Sequence, residues 1–586
     1  MHLLKQHAKP LLEEALEGMG VDANLVERML QPAREHDQGD LSFPCFAFAK
    51  TLGMAPPAIA ESLKDSIGEH PSIGEINAVN GYLNIKAAPK WLAKELLNGA
   101  LEQRAGEDQR AVLIEHTSAN PNGPFHVGRA RNAILGDTLV RLHRLWGNEV
   151  IAEYYVDDMG KQVAVLAWAL EHLSEEEVEN LLAEREPINP QWSEKADHQR
   201  VRWYQAAQLL RKDSARAPDI ESKIGELVHA SEHGNTEVLN AFEAAYQPVL
   251  DGMLETLGRL GIAFDRFTKE SLFVTNGDVS RLMQRLSETE LNGVADNGAQ
   301  FLDLGARGLK GKTEFFYQRG DGSSLYATRD IAYHQWKWQQ SNELINVLGE
   351  DHKLQAKQVG ITLEELGERR PEVVFYSFIK LPEGKMSTRR GNVVFMDDLL
   401  EEAKAQAAQV VADLRPEYDQ DTINEIAEAV GTSAVRFNII NVSPEKGFTF
   451  RWEDALSFES GSAPFIMYSH TRACSIRRKA LQHGASESAS SESIPSEDAM
   501  PSGLIELFRI LAVHNDRLEK VVREHRPHLF AEHLLELSNA YNSFYRDCHI
   551  IEDGNVNQFY FAISELARTA LHQGMVALGL VPLEAM

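Results

Sequence analysis

Apolar positions in the second quarter of the chain form short continuous runs that alternate with helical repeats. "AVLIE" (111–115) is a β-branched run typical of a strand buried in a parallel sheet. After a turn, apolar residues recur at intervals of four, three and four from Leu135 to Trp146, which predicts one apolar helix stripe. A second strand-like run (148–158) and a second helical run (159–173) follow. Strand–helix–strand units of this length predict an α/β domain with a doubly wound, Rossmann-like parallel sheet.

Strand-like runs return after a charged, helical stretch at about 174–270, which we interpret as an insertion. "GAQFLDL" and "KTEFFYQ" indicate a patch of hairpins, whereas "ELINVLG" (343–349) and "EVVFYSFIKL" (372–381) predict a resumed parallel sheet. The sheet domain with its insertion is therefore predicted to cover residues 106–397.

The two ends of the chain have different patterns. Residues 1–105 combine amphipathic helices with an apolar strand-like piece and predict a small α+β domain. Residues 398–586 are nearly all helical in pattern and predict an all-α bundle. A Ser/Glu-rich segment (484–503) interrupts it and is expected to be an exposed mobile loop.

Composition excludes several classes of protein. The chain has 586 residues, 43% apolar and 25% charged, so about two to four folded domains are expected. We find no apolar run of membrane-spanning length and no signal-peptide pattern, and we expect a cytoplasmic protein with no membrane partner. The spacing of Cys45, Cys474 and Cys548 argues against disulfides and against a structural zinc site. The net charge of −28 does not exclude nucleic acid, because a local basic stripe can still bind phosphate.

Candidate chemistry begins with "SANPNGPFHVGRARNAILGD" (118–137), a turn that leads from a strand into a helix. Such a turn presents backbone N–H groups and the positive end of a helix dipole to an anion. Gly123 and Gly128 allow close approach of a ligand, Pro121 stiffens the loop, and His126 can donate to a phosphate oxygen. The alternative is an ordinary capping histidine in a common strand–turn–helix corner.

A second cationic segment, "LPEGKMSTRRGNVV" (381–394), lies about 260 residues downstream. Lys385, Arg389 and Arg390 place three cations on a short segment flanked by glycine, which suits binding of a triphosphate. The alternative is a solvated basic loop.

"SANPNGPFHVGR" resembles the His-x-Gly-His signature of class I aminoacyl-tRNA synthetases, in the form found in arginyl-tRNA synthetases. The segment at 381–394 resembles the Lys-Met-Ser-Lys-Ser loop of the same class. Arg129 replaces the final histidine of the first signature, and Arg389 replaces the second lysine of the other. The resemblance implies catalytic roles for His126, Gly128, Arg129, Lys385 and Arg389. It implies ATP contacts for Pro121, Gly123, His126, Gly128, His352, Met386 and Ser387.

An arginine substrate requires carboxylates and planar acceptors around its guanidinium group. Glu115 ends the first predicted strand, and Tyr326 precedes Asp330 by one helical turn in "YATRD". The alternative for each acid is an ordinary salt bridge. The resemblance implies arginine contacts for Glu115, Ser118, Asn120, Tyr326, Asp330 and Gln358.

The ends of the chain carry candidate tRNA contacts. "YSHTRACSIRRKA" (468–480) interleaves aromatic and basic residues, a pattern that suits stacking on unpaired bases and contacts with phosphates. This region (about 456–586) resembles the helical anticodon-binding domain of arginyl-tRNA synthetases, and residues 1–105 resemble the appended domain that contacts the outer corner of tRNA. We expect tRNA contacts from Asn84, Tyr468, Arg472 and Arg477.

The resemblance implies an arginine–tRNA ligase that uses ATP with Mg²⁺, L-arginine and the tRNA for arginine, acts as a monomer, and activates arginine only with tRNA bound. Two alternatives remain at this stage. One is another class I synthetase, although the cysteinyl enzyme requires a zinc-binding Cys/His set and the glutamyl enzyme requires basic residues at Glu115 and Asp330. The other is a tRNA-binding paralogue without catalytic activity.

Overall fold

The computed structural model describes residues 2–21, 24–33, 38–102, 109–185, 187–380, 394–457, 461–486 and 494–586. The N-terminal region packs helices against a four-stranded antiparallel sheet with the order β1-β2-β4-β3. Its elements are α1 (His2–Gly18), α2 (Val26–Met29), β1 (Gln31–Pro32), β2 (Leu41–Pro44), α3 (Ala49–Leu52), α4 (Pro56–Ile67), β3 (Ile73–Val79), β4 (Tyr82–Ala87) and α5 (Pro89–Leu97). The strand-like piece of the sequence is a hairpin, because Asn80 and Gly81 both adopt positive φ (50° and 83°) and form a two-residue turn between β3 and β4.

The central region alternates strands and helices. Its elements are β5 (Ala111–Glu115), α6 (Val127–Trp146), β6 (Glu149–Val156), α7 (Lys161–His172), α8 (Glu175–Leu181), α9 (Ala196–Leu210), α10 (Ala217–Glu232), α11 (Thr236–Arg259), β7 (Arg266–Lys269), α12 (Ser271–Thr275), α13 (Asp278–Ser287), β8 (Asn292–Val294), β9 (Gln300–Asp303), β10 (Glu314–Gln318), α14 (Tyr326–Gln340), β11 (Glu343–Gly349), α15 (Lys353–Glu365), β12 (Glu372–Tyr376) and β13 (Ile379–Lys380).

The main sheet is parallel throughout and has the strand order β12-β11-β5-β6-β7. From β5 the chain adds β6 and β7 on one side, and it later returns to add β11 and β12 on the other. The direction of winding therefore reverses between β5 and β11. Ligands of doubly wound sheets bind at such a reversal, outside the carboxyl ends of the strands.

The sequence shows little strand pattern before residue 270, but Arg266–Lys269 forms β7 at the edge of this sheet. The helices α8–α11 between β6 and β7 form the insertion, which thus ends before the strand. The expected hairpin patch is present as a three-stranded antiparallel sheet with the order β10-β9-β8.

The C-terminal region is helical, apart from two-residue strands. Its elements are α16 (Met396–Leu414), α17 (Gln420–Ile440), β14 (Phe448–Thr449), α18 (Trp452–Ala455), α19 (Ala463–Gln482), α20 (Ser502–Ala512), α21 (His514–Glu524), α22 (His528–Asp547), β15 (Ile551–Glu552), β16 (Asn555–Val556) and α23 (Gln558–Ala577). Part of the predicted Ser/Glu-rich loop is regular structure: a 3-10 turn spans Glu497–Ala499, and α20 begins at Ser502. Residues 487–493 lie outside the described part.

Helix α6 lies between the sheet and the C-terminal helices. Leu135 and Leu139 pack with Val112 and Val347 of the sheet. Each such fully buried aliphatic side chain contributes about 2 kcal/mol of hydrophobic free energy. Helices α17, α21 and α23 contact other sides of α6. No helix in the described part of the chain has the length and apolar content needed to cross a bilayer.

Arg436 of α17 connects three regions from a fully buried position. Its Nη2 atom donates to Asp137 Oδ2 of α6 over 2.6 Å, and Nη1 donates to the carbonyl of Leu260 over 2.7 Å. Nε donates to the carbonyl of Leu578, which follows α23, over 3.1 Å. One guanidinium group thus bonds the sheet-packing helix, the end of the insertion and the last long helix.

Candidate active site

A cleft of about 450 Å³ opens at the carboxyl ends of β5 and β11, where the sheet reverses its winding. Seven of the predicted site residues line it: Glu115, Ser118, Asn120, Arg129, Tyr326, Asp330 and His352. These residues come from β5, the turn that follows it, α6, α14 and the turn after β11. The topology therefore brings together side chains that are more than two hundred residues apart in sequence.

The turn after β5 has an unusual backbone. Thr117 and Ser118 both adopt positive φ (68° and 38°), a region that residues other than glycine enter at a cost of about 1–3 kcal/mol each. Neighbouring groups hold the turn: Thr117 N–H donates to Asn132 Oδ1 over 2.7 Å, and Tyr155 N–H donates to Ser118 Oγ over 3.1 Å. Such strain, held in place by its surroundings, is typical of functional sites.

His126 is the N-cap residue of α6, directly before its first residue. Its ring lies against Gly128, where an added Cβ would lie 3.0 Å from His126 Nδ1 and would press the ring out of this position. Burial, assisted by the nearby charge of Arg129, lowers the pKa of His126 to about 4. The imidazole is therefore neutral at physiological pH.

Residues 125–131, around the start of α6, also hold the backbone on both sides of residues 381–393, in the second cationic segment. On the downstream side, Val127 N–H donates to the Val394 carbonyl over 3.0 Å, and Met396 N–H donates to the Phe125 carbonyl over 2.7 Å. On the upstream side, Arg131 Nη1 donates to the Ser377 carbonyl over 2.5 Å. Lys385, Met386, Ser387 and Arg389 themselves lie at 381–393, outside the described residues.

One expectation about this corner needs correction. The sequence predicts free backbone N–H groups at the start of α6, but Val127 N–H already bonds the Val394 carbonyl. The corner therefore uses part of its donor capacity to hold the neighbouring segment. The helix dipole and the His126 side chain remain available for an anion.

Carboxylates give the cleft an acidic side. Glu115 Oε2 accepts from Lys337 Nζ over 2.7 Å, and Asp330 Oδ1 lies 3.1 Å from His334 Nδ1. Burial acts to raise the pKa of Asp330, but His334 and the charge of Lys337 outweigh it, so this pKa lies below its ordinary value. Asp330 is therefore an anion that faces the cleft.

Sequence reasoning missed Asp157, which lines the same cleft directly after β6. Burial raises its pKa to about 6. Behind it, the buried Glu270 is paired with Arg329 of α14. A carboxylate at the end of a parallel strand is the sequence signal that could have identified Asp157. Tyr155 also lines the cleft, and its buried hydroxyl has no hydrogen-bond partner among the described residues.

His126 and Gly128, at the corner described above, do not line the cleft itself, and three other predicted contacts face elsewhere. Gln358 is buried, and its Nε2 atom donates to the Lys312 carbonyl over 3.5 Å. Gly123 packs against α9, where an added Cβ would lie 2.5 Å from Val201 Cγ2. Pro121 is buried beside it. None of the three lines the cleft, so the two turn residues serve packing in this structure.

Three family models match the chain. The description "tRNA synthetases class I (R), catalytic domain" matches residues 92–452, which is more than half of the chain. The chain belongs to the arginyl-tRNA synthetase family. The model of the arginyl-tRNA synthetase N-terminal domain matches residues 6–87, and the DALR anticodon-binding domain matches residues 466–586.

Relatives of the family are similar over their full lengths. The arginine–tRNA ligase of Methanocella arvoryzae is 38% identical over 100% of this chain and 99% of its own. That of Methanococcoides burtonii is 36% identical over 98% of both chains. The solved structure of Thermus thermophilus arginyl-tRNA synthetase aligns with a TM-score of 0.77 and 26% identity, over 99% of this chain and 100% of that one. The predicted family, fold class and activity of an arginine–tRNA ligase are confirmed.

The predicted tRNA contacts of this synthetase lie on two separate surfaces. On α19, Tyr468 is exposed, and the guanidinium of Arg472 lies 5.0 Å from the ring centroids of both Tyr468 and Tyr545. Arg477, also on α19, pairs with Glu565 of α23 over 3.0 Å. In the N-terminal sheet, Asn84 lines a groove, and its buried Oδ1 atom has no partner among the described residues.

Proposed function

We propose that this synthetase binds arginine on the acidic side of the cleft and ATP at the His126 corner. It forms arginyl-adenylate from them and then transfers the arginyl group to tRNA. The observation that supports the proposal is that residues 125–131, around the start of α6, bond the backbone on both sides of residues 381–393. The backbone that borders the second cationic motif on each side is therefore held at the His126 corner, beside a cleft lined by carboxylates.

The acidic side suits a guanidinium substrate. Asp330 and Asp157 offer carboxylate oxygens to the cleft, and Tyr326 adds a hydroxyl one helical turn before Asp330. Carboxylates bind a guanidinium through paired, charge-assisted hydrogen bonds. Glu115 already accepts from Lys337, so we assign it a share of the negative field.

The opposite side suits a triphosphate. His126 donates as a neutral imidazole, Arg129 adds a fixed cation, and the dipole of α6 favours negative charge at the same place. Lys385 and Arg389 belong to the segment whose flanks are fixed here, and we assign them to the β- and γ-phosphates.

The reaction then requires positioning and charge stabilisation. An arginine carboxylate oxygen attacks the α-phosphorus of ATP, the bond to the β-phosphate oxygen breaks, and pyrophosphate leaves with the electron pair. In the second step a terminal ribose hydroxyl of tRNA attacks the arginyl carbonyl and adenosine monophosphate leaves. Cations beside the departing pyrophosphate stabilise charge that develops only in the transition state.

Mg²⁺ enters with ATP as part of the substrate, and we propose no structural zinc. Among the described residues, the two groups of acids and histidines close enough to share an ion contain no cysteine: Asp197, His198 and Asp397, and Glu343, Glu372 and His525. The three cysteines are free and buried, as suits a reducing compartment. We extend the proposal to a cytoplasmic protein that acts as a monomer. Size-exclusion chromatography tests the monomeric state.

Charging assays with each amino acid and total tRNA test the proposed function. We expect arginine alone to support charging, and arginine-dependent pyrophosphate exchange to require tRNA. Asp330→Asn should raise the KM for arginine by about tenfold or more, because a charge-assisted contact is lost, while the exposed control Asp421→Asn stays at the wild-type value. Tight tRNA binding without exchange would favour the non-catalytic alternative and overturn the proposal.

A further inference from the structure

The insertion contributes side chains to a buried charged network next to the His126 corner. Lys195 Nζ contacts Asp197 Oδ2 over 3.1 Å, Thr256 Oγ1 over 2.6 Å and Asp397 Oδ2 over 2.8 Å. His198 Nε2 lies 2.8 Å from the same Asp397 oxygen. We call Lys195, Asp197, His198, Thr256 and Asp397 the insertion network.

Its members come from elements far apart in sequence. Lys195, Asp197 and His198 lie at the start of α9, Thr256 is in α11, and Asp397 lies in the first turn of α16. The side chains of Asp197 and Asp397 are 0% and 1% exposed, and that of Lys195 is 11% exposed. Buried ionic groups of this kind fix one arrangement of their elements, because removal of one partner leaves an uncompensated charge.

A second pair of contacts reinforces the same turn. Asp398 Oδ1 accepts from Trp192 Nε1 over 2.9 Å and from Asn189 Nδ2 over 3.1 Å. Both donors precede α9, in the same part of the insertion. The first turn of α16 is thus held by two adjacent carboxylates.

The turn held in this way continues directly into the backbone that pairs with the His126 corner. Met396 N–H donates to the Phe125 carbonyl, and the Val394 carbonyl accepts from Val127 N–H. Phe395 forms an antiparallel bridge with His126. The ring of Phe395 also lies 5.2 Å from that of His198, in an edge-on arrangement. Met396 therefore separates Phe395, which bridges to His126, from Asp397, which belongs to the insertion network.

We propose that Lys195 and His198 are positioning residues for the His126 corner, which they hold in its active arrangement through Asp397. The cluster could in principle hold a metal ion, but the Lys195 ammonium already contacts both carboxylates and serves as its cation. The role rests on the proposed function, because it concerns the geometry at which ATP reacts.

Lys195→Met tests the role, since methionine keeps much of the side-chain length without the charge. We expect kcat to fall by about ten- to a hundredfold, because small displacements at a reacting centre have effects of this size, with the KM for tRNA unchanged. The double variant Lys195→Met/Asp397→Asn removes the uncompensated carboxylate and should recover part of the loss. The control is Lys223→Met, which removes an exposed lysine of the insertion paired with Asp219.

A structural role alone would lower the melting temperature but leave kcat per folded active site unchanged. The imidazole NMR signal of His126, assigned from its loss in His126→Ala, provides a readout independent of activity. It should shift in Lys195→Met and stay in place in Lys223→Met. An unshifted signal with unchanged kcat per active site overturns the proposal, whereas failure of wild-type protein to charge arginine overturns only the proposed function.

If Lys195→Met does not fold, Trp192→Phe carries the test, since it keeps the ring but removes the donor to Asp398. We then expect a smaller fall in kcat and a smaller shift of the His126 signal in the same direction. Wild-type values for both would overturn the proposal.

Discussion

Val127 N–H donates to the carbonyl oxygen of Val394 over 3.0 Å, although 266 residues separate the two in sequence. This bond joins the start of α6, the helix after β5, to the last residue of the second cationic segment. We therefore expect the proposed binding of ATP at this corner to depend on this backbone contact.

We expect His126→Ala to lower kcat by about a hundredfold or more, because it removes a donor to charge that develops in the transition state. The dissociation constant for tRNA should stay within about twofold of the wild-type value. In the control His483→Ala, which changes an exposed histidine, both kcat and the dissociation constant for tRNA should stay within this range. Because the pKa of His126 is lowered to about 4, the ratio of wild-type to variant kcat should be constant from about pH 8 to 5.5. Equal losses in kcat and tRNA affinity would contradict the assigned role.

Asp157 should make arginine binding depend on pH. Its pKa, raised by burial to about 6, means that the carboxylate is mostly ionised at pH 7 and mostly protonated at pH 5. We expect the KM for arginine to rise by about tenfold from pH 7 to pH 5, because protonation of Asp157 removes a negative charge that faces the guanidinium of the substrate. Asp157→Asn should have a raised KM at pH 7 and a flatter profile, with the KM for ATP unaffected. A profile identical to that of the wild type would exclude Asp157 as an arginine contact.

Tyr468→Ala should weaken tRNA binding. Stacking of a base on an aromatic ring contributes about 1–3 kcal/mol, so we expect the KM for tRNA to rise about five- to a hundredfold with kcat unchanged. The matched control is Leu481→Ala, which removes another exposed apolar side chain from the same helix. If Tyr468→Ala binds tRNA with wild-type affinity, Tyr468 does not stack on a base of the tRNA.

His143 should make the protein less stable in acid. Burial lowers its pKa to about 3, whereas in the unfolded chain it is protonated below about pH 6.5. Unfolding therefore takes up a proton, and the free energy of unfolding should fall by about 2 kcal/mol between pH 6.5 and 5 from this residue alone. His143→Asn keeps an acceptor for Asn148 and should show a smaller fall in its urea midpoint over this interval. The control His483→Asn should show the same fall in urea midpoint as the wild type. An equal fall in His143→Asn and His483→Asn would refute the assignment of this acid sensitivity to His143.

The core strands of the sheet could be predicted from sequence, but its edge could not. Central parallel strands such as Ala111–Glu115 are buried on both faces and appear as continuous apolar runs. Arg266–Lys269 is a four-residue edge strand in which Thr268 alone is buried, so it has no such run. The turn between β3 and β4 is encoded locally, because Asn80-Gly81 is a dipeptide typical of two-residue hairpin turns with positive φ at both positions.

The candidate site shows the same limit. The spacing of Tyr326 and Asp330 predicts that they lie one helical turn apart, and both line the cleft from the first two turns of α14. Their role as arginine contacts stays a prediction. The partner of Glu115 is Lys337, 222 residues away, and no periodicity predicts that pair. Pairings set by topology become visible only once the strand order is known.

The buried guanidinium of Arg436 has a consequence for how the molecule melts. Separate denaturation of the helices matched by the anticodon-binding domain (466–586) would withdraw the Leu578 carbonyl and leave the Arg436 cation of α17 with fewer acceptors in an apolar interior. That penalty disfavours a half-melted species, so calorimetry should record the catalytic sheet and the anticodon-binding helices as a single cooperative unit.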